Sequence, residues 1–277
     1  MGFNAVTISL ELALLLFFAS TAAYLTYFFN QKEKVQRAAA VLIVLGVVVH
    51  LFHTMVLGFS IGALPVRNLS QSLSISALAF GIMFLYFQYR FNLKVLGVFA
   101  SMLLTLTLLA AVAAPQSSVP PDVALKGFWF HAHILMIFTG EAALGLACGT
   151  GILYLLQEQG IKSKSPGFFF KRLPSLDLLD NAGYVLLNTG FALLTVGLIT
   201  GFIYAKIIWG RFWSWDLKEL FSMVSWLVYA AILHFRFHSG WRGRKSAIMT
   251  IVGFLFLIFT FLGVNLLWGG HHQDFTK

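Results

Sequence analysis

The sequence predicts an all-α, polytopic integral membrane protein with about eight transmembrane helices in one bundle. Of its 277 residues, 59% are hydrophobic and only 10% are charged, whereas a soluble domain carries about 25% charged residues. The mean hydropathy is +0.84. Apolar stretches also recur along the whole chain, each of about 20 residues, the length that an α-helix needs to cross a bilayer. These observations exclude a soluble globular protein.

Each apolar stretch is interpreted as one helix, because a helix satisfies its own backbone hydrogen bonds in lipid. The first stretch contains Glu11 and has no basic residues before it, so it predicts a retained anchor and not a cleavable signal peptide. The connector 157–179 predicts a boundary between the first five helices and the last three. The predicted helices cover residues 5–29, 38–59, 72–90, 93–113, 129–156, 181–205, 219–237 and 246–267.

The basic residues predict that both termini lie outside a plasma (inner) membrane, because Lys and Arg are enriched in cytoplasmic loops. Thirteen basic residues would then lie inside: Lys32, Lys34, Arg37, Arg90, Lys94, Lys162, Lys164, Lys171, Arg172, Arg236, Arg242, Arg244 and Lys245. Six would lie outside: Arg67, Lys126, Lys206, Arg211, Lys218 and Lys277. The net charge of +9 is therefore interpreted as a topology signal and not as a nucleic-acid-binding patch.

Several classes of chemistry are excluded by the residues themselves. The single cysteine, Cys148, permits neither an intramolecular disulfide nor a cysteine-based metal site. The chain has no CxxCH motif, so it is not itself a c-type cytochrome. Phosphate-binding glycine loops, nucleophile elbows and HExxH motifs are also missing from the sequence.

A tryptophan-rich segment, residues 206–218, follows the sixth predicted helix. Tryptophan often anchors a protein at the headgroup level, and that role remains open for two of these rings. Four large rings so close together also predict a flat apolar surface for a large planar ligand, with nearby cations for its carboxylates. The rings are Trp209, Phe212, Trp213 and Trp215, and the cations are Lys206, Arg211 and Lys218.

Two acidic residues, Asp216 and Glu219, lie where the seventh predicted helix begins. A carboxylate at this position caps the helix and interacts favourably with its dipole. Ligand binding and capping are equally good interpretations of this pair.

Two histidine pairs bracket the tryptophan-rich segment in the sequence. His131 and His133 begin the fifth predicted helix, and His271 and His272 follow the eighth. By the predicted topology, both pairs lie at the outer face. Imidazole is a strong axial ligand of haem iron, so two of these histidines would suffice to hold a porphyrin across the aromatic surface.

Four other ionisable residues lie within or beside predicted helices. His234 lies near the inner boundary, where it is either a functional site or a polar group that reaches the surface. His50 and His53 share one face of the second helix, as a ligand pair, a hydrogen-bonded core pair or the lining of a polar cavity. Glu141 is a buried carboxylate candidate below His133, with a neutral core residue as the alternative.

With these residues in view, the C-terminal half resembles the cytochrome c assembly proteins that carry a tryptophan-rich WWD domain, particularly the CcsA (ResC) type of the system II cytochrome c synthetase. The family pattern runs WGxYWxWDPKExW, LHxR and GWxGKK, and this chain has WGRFWSWDLKELF, LHFR and GWRGRK. The similarity covers about residues 60–273, which would form the assembly domain after an N-terminal helix pair, residues 1–59. Leu217 replaces the family's proline, Ala63 stands where a histidine often occurs, Gln71 replaces a glutamate, and QDF follows His272.

The resemblance implies haem b, held non-covalently in transit, as the ligand. In the family the WWD segment, here Trp209, Trp213, Trp215 and Asp216, holds haem at the outer face between two external histidines. His133 and His272 match those two residues and would be the axial ligands of the iron. His234 matches the histidine proposed to bind haem on its way from the cytoplasm, and so a possible second haem site.

The resemblance further implies a role in cytochrome c biogenesis, in which haem is attached to the CxxCH cysteines of an apocytochrome c. The catalytic residues of such a haem lyase are unknown from this sequence. A CcsB (ResB)-like membrane protein is the implied partner, and nucleic acid is not. Two other interpretations stay open, namely a haem transporter or exporter and a non-enzymatic regulator of haem metabolism similar to the HemX-like proteins.

Overall fold

The computed structural model describes residues 2–114, 127–163 and 171–263. Within these ranges the chain forms eight helices, each long and apolar enough to cross a membrane, and contains no strand. The helices are α1 (Gly2–Asn30), α2 (Glu33–Ile61), α3 (Leu69–Phe91), α4 (Leu96–Ala113), α5 (Phe128–Lys162), α6 (Leu176–Trp209), α7 (Leu217–His238) and α8 (Arg244–Ile258). A π-helical turn, Phe259–Gly263, continues α8. The predicted all-α, polytopic fold is thereby confirmed.

Most helices extend beyond the predicted limits, and at three ends polar residues cap or pair, whereas α4 begins at Leu96 and not at residue 93. Ser175 accepts a hydrogen bond from the backbone N–H of Leu178 and starts α6 before the apolar stretch. At the end of α5, Lys162 and Glu158 form an ion pair four residues apart, which supports a last helical turn that hydropathy does not reveal. At the start of α3, Asn68 accepts from the N–H of Gln71, and the Gln71 side chain accepts from the N–H of Arg67. The amide at position 71 thus takes part in capping as a glutamate would.

The chain divides into two compact units, Met1–Leu125 and Lys126–Lys277, called unit 1 and unit 2 below. The prediction of a boundary in the connector 157–179 is therefore wrong, because α5 belongs to the same unit as the helices that follow it. The division at residue 60 rests on sequence similarity and stays a prediction.

Unit 1 contains α1 to α4, and small residues let its helices approach closely. An added Cβ at Gly46 would lie 2.4 Å from the Phe17 ring, and one at Gly97 would lie 2.2 Å from the Tyr24 ring. Both rings are fully buried. The Tyr24 hydroxyl donates to the side-chain oxygen of Gln88 at 3.0 Å, so the polar end of this buried ring is satisfied.

Unit 2 contains α5 to α8 and is organised around the contact between α5 and α6. An added Cβ at Gly140 would lie 3.0 Å from the backbone nitrogen of Leu194, and one at Gly190 would lie 3.0 Å from the carbonyl oxygen of Gly140. Glycine at these positions permits the backbones to approach closely, as small residues do between membrane helices. The interface therefore positions the side chains that α5 and α6 present to one another.

The antiparallel helices of unit 2 define its two ends. The start of α5, the end of α6 and the start of α7 lie at what we call the tryptophan end. The end of α5, the start of α6, the end of α7 and the start of α8 lie at the opposite end, called the His234 end. An ion pair between Arg244 and Glu158, at 2.9 Å, connects α8 with α5 at the His234 end.

Candidate functional site

At the tryptophan end, the ring of His133 is held between α5 and α6. Its Nδ1 donates a hydrogen bond to the carbonyl oxygen of Gly197 at a distance of 2.7 Å. A carbonyl only accepts, so the proton lies on Nδ1 and a neutral ring keeps its lone pair on Nε2. This is the state in which a histidine binds a metal, with the other ring nitrogen oriented by a backbone carbonyl.

Gly201 on α6 makes room for the His133 ring, and Gly197 makes room for Ile137. An added Cβ at Gly201 would lie 2.7 Å from Nδ1 of His133, and one at Gly197 would lie 2.7 Å from the Ile137 side chain. Both distances are shorter than van der Waals contact allows. The absence of a side chain at position 201 thus permits the imidazole to pack directly against α6.

The segment that joins α6 to α7 is held at both of its ends. Gly210 ends α6 in the left-handed conformation, with φ 72°. Asp216 caps α7 by accepting from the N–H of Lys218 at 2.9 Å, and Glu219 accepts from the N–H of Ser214 at 2.7 Å. The capping interpretation is thereby confirmed for Asp216, whereas Glu219 binds the backbone of the segment before the helix. Leu217 is the first residue of α7, the position at which proline is favoured.

The aromatic rings of this segment differ in how much of their surface is exposed. Trp213 is partly buried and contacts Phe202 edge-to-face, with ring centroids 5.9 Å apart. Trp215 contacts Trp213 at 5.8 Å, yet 81% of its surface is exposed. Its φ is 60°, a conformation that is rare for a residue with a bulky side chain. Trp209 packs against Tyr204 at 6.0 Å and is 36% exposed.

Two buried polar atoms of this segment have no hydrogen-bond partner among the described residues. They are the indole Nε1 of Trp213 and the carboxylate Oδ2 of Asp216. A buried donor or acceptor without a partner is costly and is expected to be satisfied when the protein works. The pair offers one N–H donor and one acceptor to a polar ligand group.

The cations of the segment differ in how they are engaged. Lys206 donates to the carbonyl of Gly210 at 2.8 Å and lies 5.4 Å from the centroid of the Phe212 ring. Lys218 lies in the first turn of α7, where its backbone N–H donates to the capping residue Asp216. Glu141 on α5 is partly buried, and its interpretation as a buried carboxylate or as a neutral or hydrogen-bonded core residue stays a prediction.

The second predicted axial ligand, His272, and its neighbour His271 lie outside the described residues. His131 does not enter the α5–α6 contact, because its Nδ1 bonds to the carbonyl of Gly127 at 2.7 Å within its own helix. Of the two candidates on α5, the structure therefore holds His133 beside the tryptophan-rich segment.

At the His234 end, His234 lies exposed on α7. Its ring stacks on that of His238, with centroids 4.3 Å apart and planes at 19°. The Phe235 ring stacks on Trp241, with centroids 4.6 Å apart. This end therefore presents a surface of exposed rings, unlike the enclosed His133.

Sequence reasoning missed the residue that holds this end together. Asp180 on α6 pairs with Arg236 at 2.7 and 3.0 Å and accepts from the N–H of Gly243 at 2.9 Å. Arg236 also lies 4.5 Å from the centroid of the Tyr184 ring. A carboxylate inside a membrane helix is costly without a partner, and this signal would have been enough to single out Asp180 from the sequence.

The histidines of unit 1 have the geometry of a hydrogen-bonded core pair. His50 is fully buried, and its Nε2 lies 2.8 Å from the Ser74 hydroxyl. Nδ1 of His53 lies 2.8 Å from the carbonyl of Val6 and 3.2 Å from the Ser9 hydroxyl. Across the described ranges, no three His, Cys, Asp or Glu residues are grouped so as to hold a metal ion.

The sequence is similar to a known protein family and to individual members of it. A family model described as "Cytochrome C assembly protein" matches residues 66–272. A cytochrome c biogenesis protein CcsA from Guillardia theta is 32% identical over 233 residues, covering 76% of this chain and 77% of that protein. The CcsA of Synechococcus sp. (strain CC9902) is 33% identical over 237 residues, covering 76% of this chain and 78% of that one.

Among solved structures, the cytochrome c haem lyase CcmF has a similar fold. The TM-score is 0.68 at 15% sequence identity, and the match covers 95% of this chain. The chain spans 47% of the length of that protein, so the likeness concerns the fold.

Proposed function

The chain belongs to the cytochrome c assembly protein family, whose part is in cytochrome c maturation, and we propose that it binds haem at the tryptophan end and supports its attachment to apocytochrome c. His133 carries the proposal, because its Nδ1 is bound to the Gly197 carbonyl and its Nε2 is left for iron. The tryptophan end would face outside a plasma (inner) membrane, where the CxxCH segment of the apocytochrome arrives.

The residues of this end suit the chemistry of haem. An apolar macrocycle is matched by the rings of Trp209, Trp213 and Trp215, and its propionates by a free indole N–H and nearby cations. His272 would provide the second axial nitrogen. With two imidazoles the iron is six-coordinate and the haem keeps one orientation.

The protein's contribution to attachment would be positioning. Each thioether forms when a cysteine thiol adds across a haem vinyl group, so that sulfur bonds to one vinyl carbon and the proton goes to the other. The vinyl groups must therefore face two reduced thiols at reacting distance. The histidine of the incoming CxxCH would displace one axial ligand, which gives the product a way to leave.

The CcsA and CcmF names of the similar proteins support this assignment. A CcsB (ResB)-like membrane protein is the proposed partner, and haem b in transit, not a resident cofactor, is the proposed cargo. The chain would then be one component of a holocytochrome c synthetase.

The first experiment is the reduced absorption spectrum of the detergent-purified protein, alone and with the CcsB-like partner. The expected result is a low-spin, bis-imidazole b-type spectrum that the double variant His133→Ala, His272→Ala loses. His131→Ala is the matched control, because His131 is bonded within its own helix, and its spectrum should not change. Unchanged haem in the double variant would contradict the proposed site.

Attachment itself is tested with a co-expressed CxxCH reporter. The proposal expects covalent haem on the reporter only when the chain is present, and equal maturation without it would contradict the proposal. A haem transporter is the second candidate, because His133 and His234 lie at opposite ends of unit 2. Haem flux across vesicles with no reporter present distinguishes transport from a HemX-like regulator, which moves no haem.

A further inference from the structure

The turn between α2 and α3 in unit 1 contains a buried cation, Arg67, which is only 9% exposed. Its Nη2 donates to the carbonyl oxygen of Ile61 at 3.2 Å, whereas its Nε is buried and has no hydrogen-bond partner among the described residues. The ion pairs within the described ranges use other cations, namely Lys94, Lys162, Arg236 and Arg244. A buried charge is costly unless an anion compensates it, and the part of the chain that the structure describes forms no ion pair with Arg67.

The surroundings of Arg67 add to its positive potential. Asn68 caps α3 by accepting from the N–H of Gln71, so the positive end of a 23-residue helix dipole begins directly after Arg67. The Gln71 side chain accepts from the backbone N–H of Arg67, but this amide is neutral where members of the family have a glutamate. A full positive charge and a helix N-terminus therefore meet, and such a combination favours the binding of an anion.

The position of the turn relative to the membrane indicates which anion reaches it. At about 1.5 Å per residue, the 29 residues of α2 measure about 43 Å, whereas the hydrocarbon core of a bilayer is about 30 Å thick. Both α2 and α3 are long and apolar enough to span a membrane, so the turn that joins them lies where the chain leaves the hydrocarbon. The phosphates of phospholipids lie at that level.

A row of exposed apolar side chains on α2 leads towards this turn. Phe52, Met55 and Phe59 follow one another at three or four residues and so share one face of the helix. Each of them exposes more than half of its surface. The row ends two residues before Ile61, whose carbonyl binds Arg67. A molecule with an acyl chain and an anionic phosphate matches both features, whereas a soluble anion accounts for Arg67 alone.

We propose that Arg67 binds the phosphate of an anionic phospholipid, with an acyl chain of the same lipid along Phe52, Met55 and Phe59. A guanidinium presents parallel N–H groups that match two phosphate oxygens, and the unpartnered Nε–H provides one of them. An anionic headgroup is preferred, because a zwitterionic one brings its own cation to a turn that already has an excess of positive charge. The lipid thereby compensates the charge that unit 1 buries.

The test titrates lipids into the full-length protein in a neutral detergent and measures bound lipid by native mass spectrometry. Phosphatidylglycerol should bind about fivefold more tightly than phosphatidylcholine, the size expected for one cation beside an anionic headgroup. Arg67→Gln should lower the affinity for phosphatidylglycerol about tenfold, as for lost hydrogen bonds to a charged group. Arg90→Gln is the matched control, because Arg90 is an exposed cation in the last turn of α3, and this variant should keep the affinity of the unaltered chain.

A second variant leaves Arg67 in place. In Gln71→Glu the side chain still accepts from the N–H of Arg67 but adds a negative charge beside it, so the affinity for phosphatidylglycerol should fall about fivefold in a protein that stays folded. Unchanged affinity in both variants of this turn would overturn the proposal, as would an equal loss in Arg90→Gln. Inorganic phosphate should not displace the lipid at the same concentration, and displacement would show a site for a soluble anion instead.

Discussion

The two ends of unit 2 each present a histidine, but they hold it in different ways. His133 lies between two helices, with one nitrogen bonded to a backbone carbonyl and its ring packed against Gly201. His234 lies on the surface, stacked on His238, and neither of its ring nitrogens has a hydrogen bond to another described residue. The first arrangement defines both the tautomer and the ring position, while the second defines the ring plane alone.

This difference separates holding a ligand from receiving it. A preorganised imidazole suits a site where one orientation must persist during a reaction. An exposed imidazole with either nitrogen available suits first contact. The His234 end is also held in place, but by the ion pair between Asp180 and Arg236. The histidine itself takes no part in that pairing.

The largest expected effect comes from removing the carboxylate that holds the His234 end. Asp180→Ala leaves Arg236, whose side chain is 8% exposed, without its partner, and should lower the free energy of unfolding by about 3–5 kcal/mol. Unfolding in detergent, followed by tryptophan fluorescence, measures the change.

The matched control is Glu158→Gln, which removes the exposed ion pairs with Lys162 and Arg244. Exposed pairs contribute little, so the expected loss is below about 1 kcal/mol. Equal losses in the two variants would show that the Asp180 pair does not hold the His234 end.

A smaller effect is expected from crowding His133. In Gly201→Ala the new methyl group would meet Nδ1, so the ring must move and its bond to Gly197 is lost. Overpacking should cost about 1–3 kcal/mol, and haem affinity at the tryptophan end should fall about tenfold, as for a lost outer-shell partner. Haem titration measures the affinity.

Gly127→Ala is the control for this prediction. Gly127 lies at the same end, just before α5, and an added Cβ there meets nothing within 4 Å. Its affinity should equal that of the unaltered chain. If Gly201→Ala binds haem equally well, the position of the His133 ring is not what determines binding.

The smallest effect is expected from the stacked pair. His238→Ala removes an exposed ring, so stability should change by less than about 0.5 kcal/mol. Haem affinity at the His234 end should fall about threefold, as for one lost ring contact. His238→Phe keeps a ring and should restore the affinity, and failure to restore it would show that the imidazole nitrogen is needed.

The sequence predicted the fold because lipid imposes one simple rule on it. Apolar stretches long enough to span a bilayer have few alternatives to a helix, so all eight helices were predicted and the errors lie at their ends. The end of α5 was not predicted because its last turn, including Glu158 and Lys162, is polar and is stabilised by an ion pair. Hydropathy carries no information about that pairing.

The order of the helices along the chain predicts which residues of the candidate site lie at the same end, but not which of them are in contact. Antiparallel helices bring His133 and the tryptophan-rich segment to one end, and counting the helices is enough to see it. The bond between His133 and Gly197 requires the distance between two helices, which glycine spacing alone does not provide. The partner of Asp180 was hidden for the same reason, since Arg236 lies 56 residues further along the chain.

The left-handed backbone of Trp215 has a consequence for how this protein would respond to selection. The conformation costs a residue with a side chain about 1–2 kcal/mol, and a ring that is 81% exposed recovers little of this by packing. Variants selected for heat resistance alone are therefore expected to acquire glycine or asparagine at position 215. Such variants would be more stable to heat but would lack an aromatic ring at the tryptophan end. Thermal stability and ligand binding therefore favour different residues at position 215.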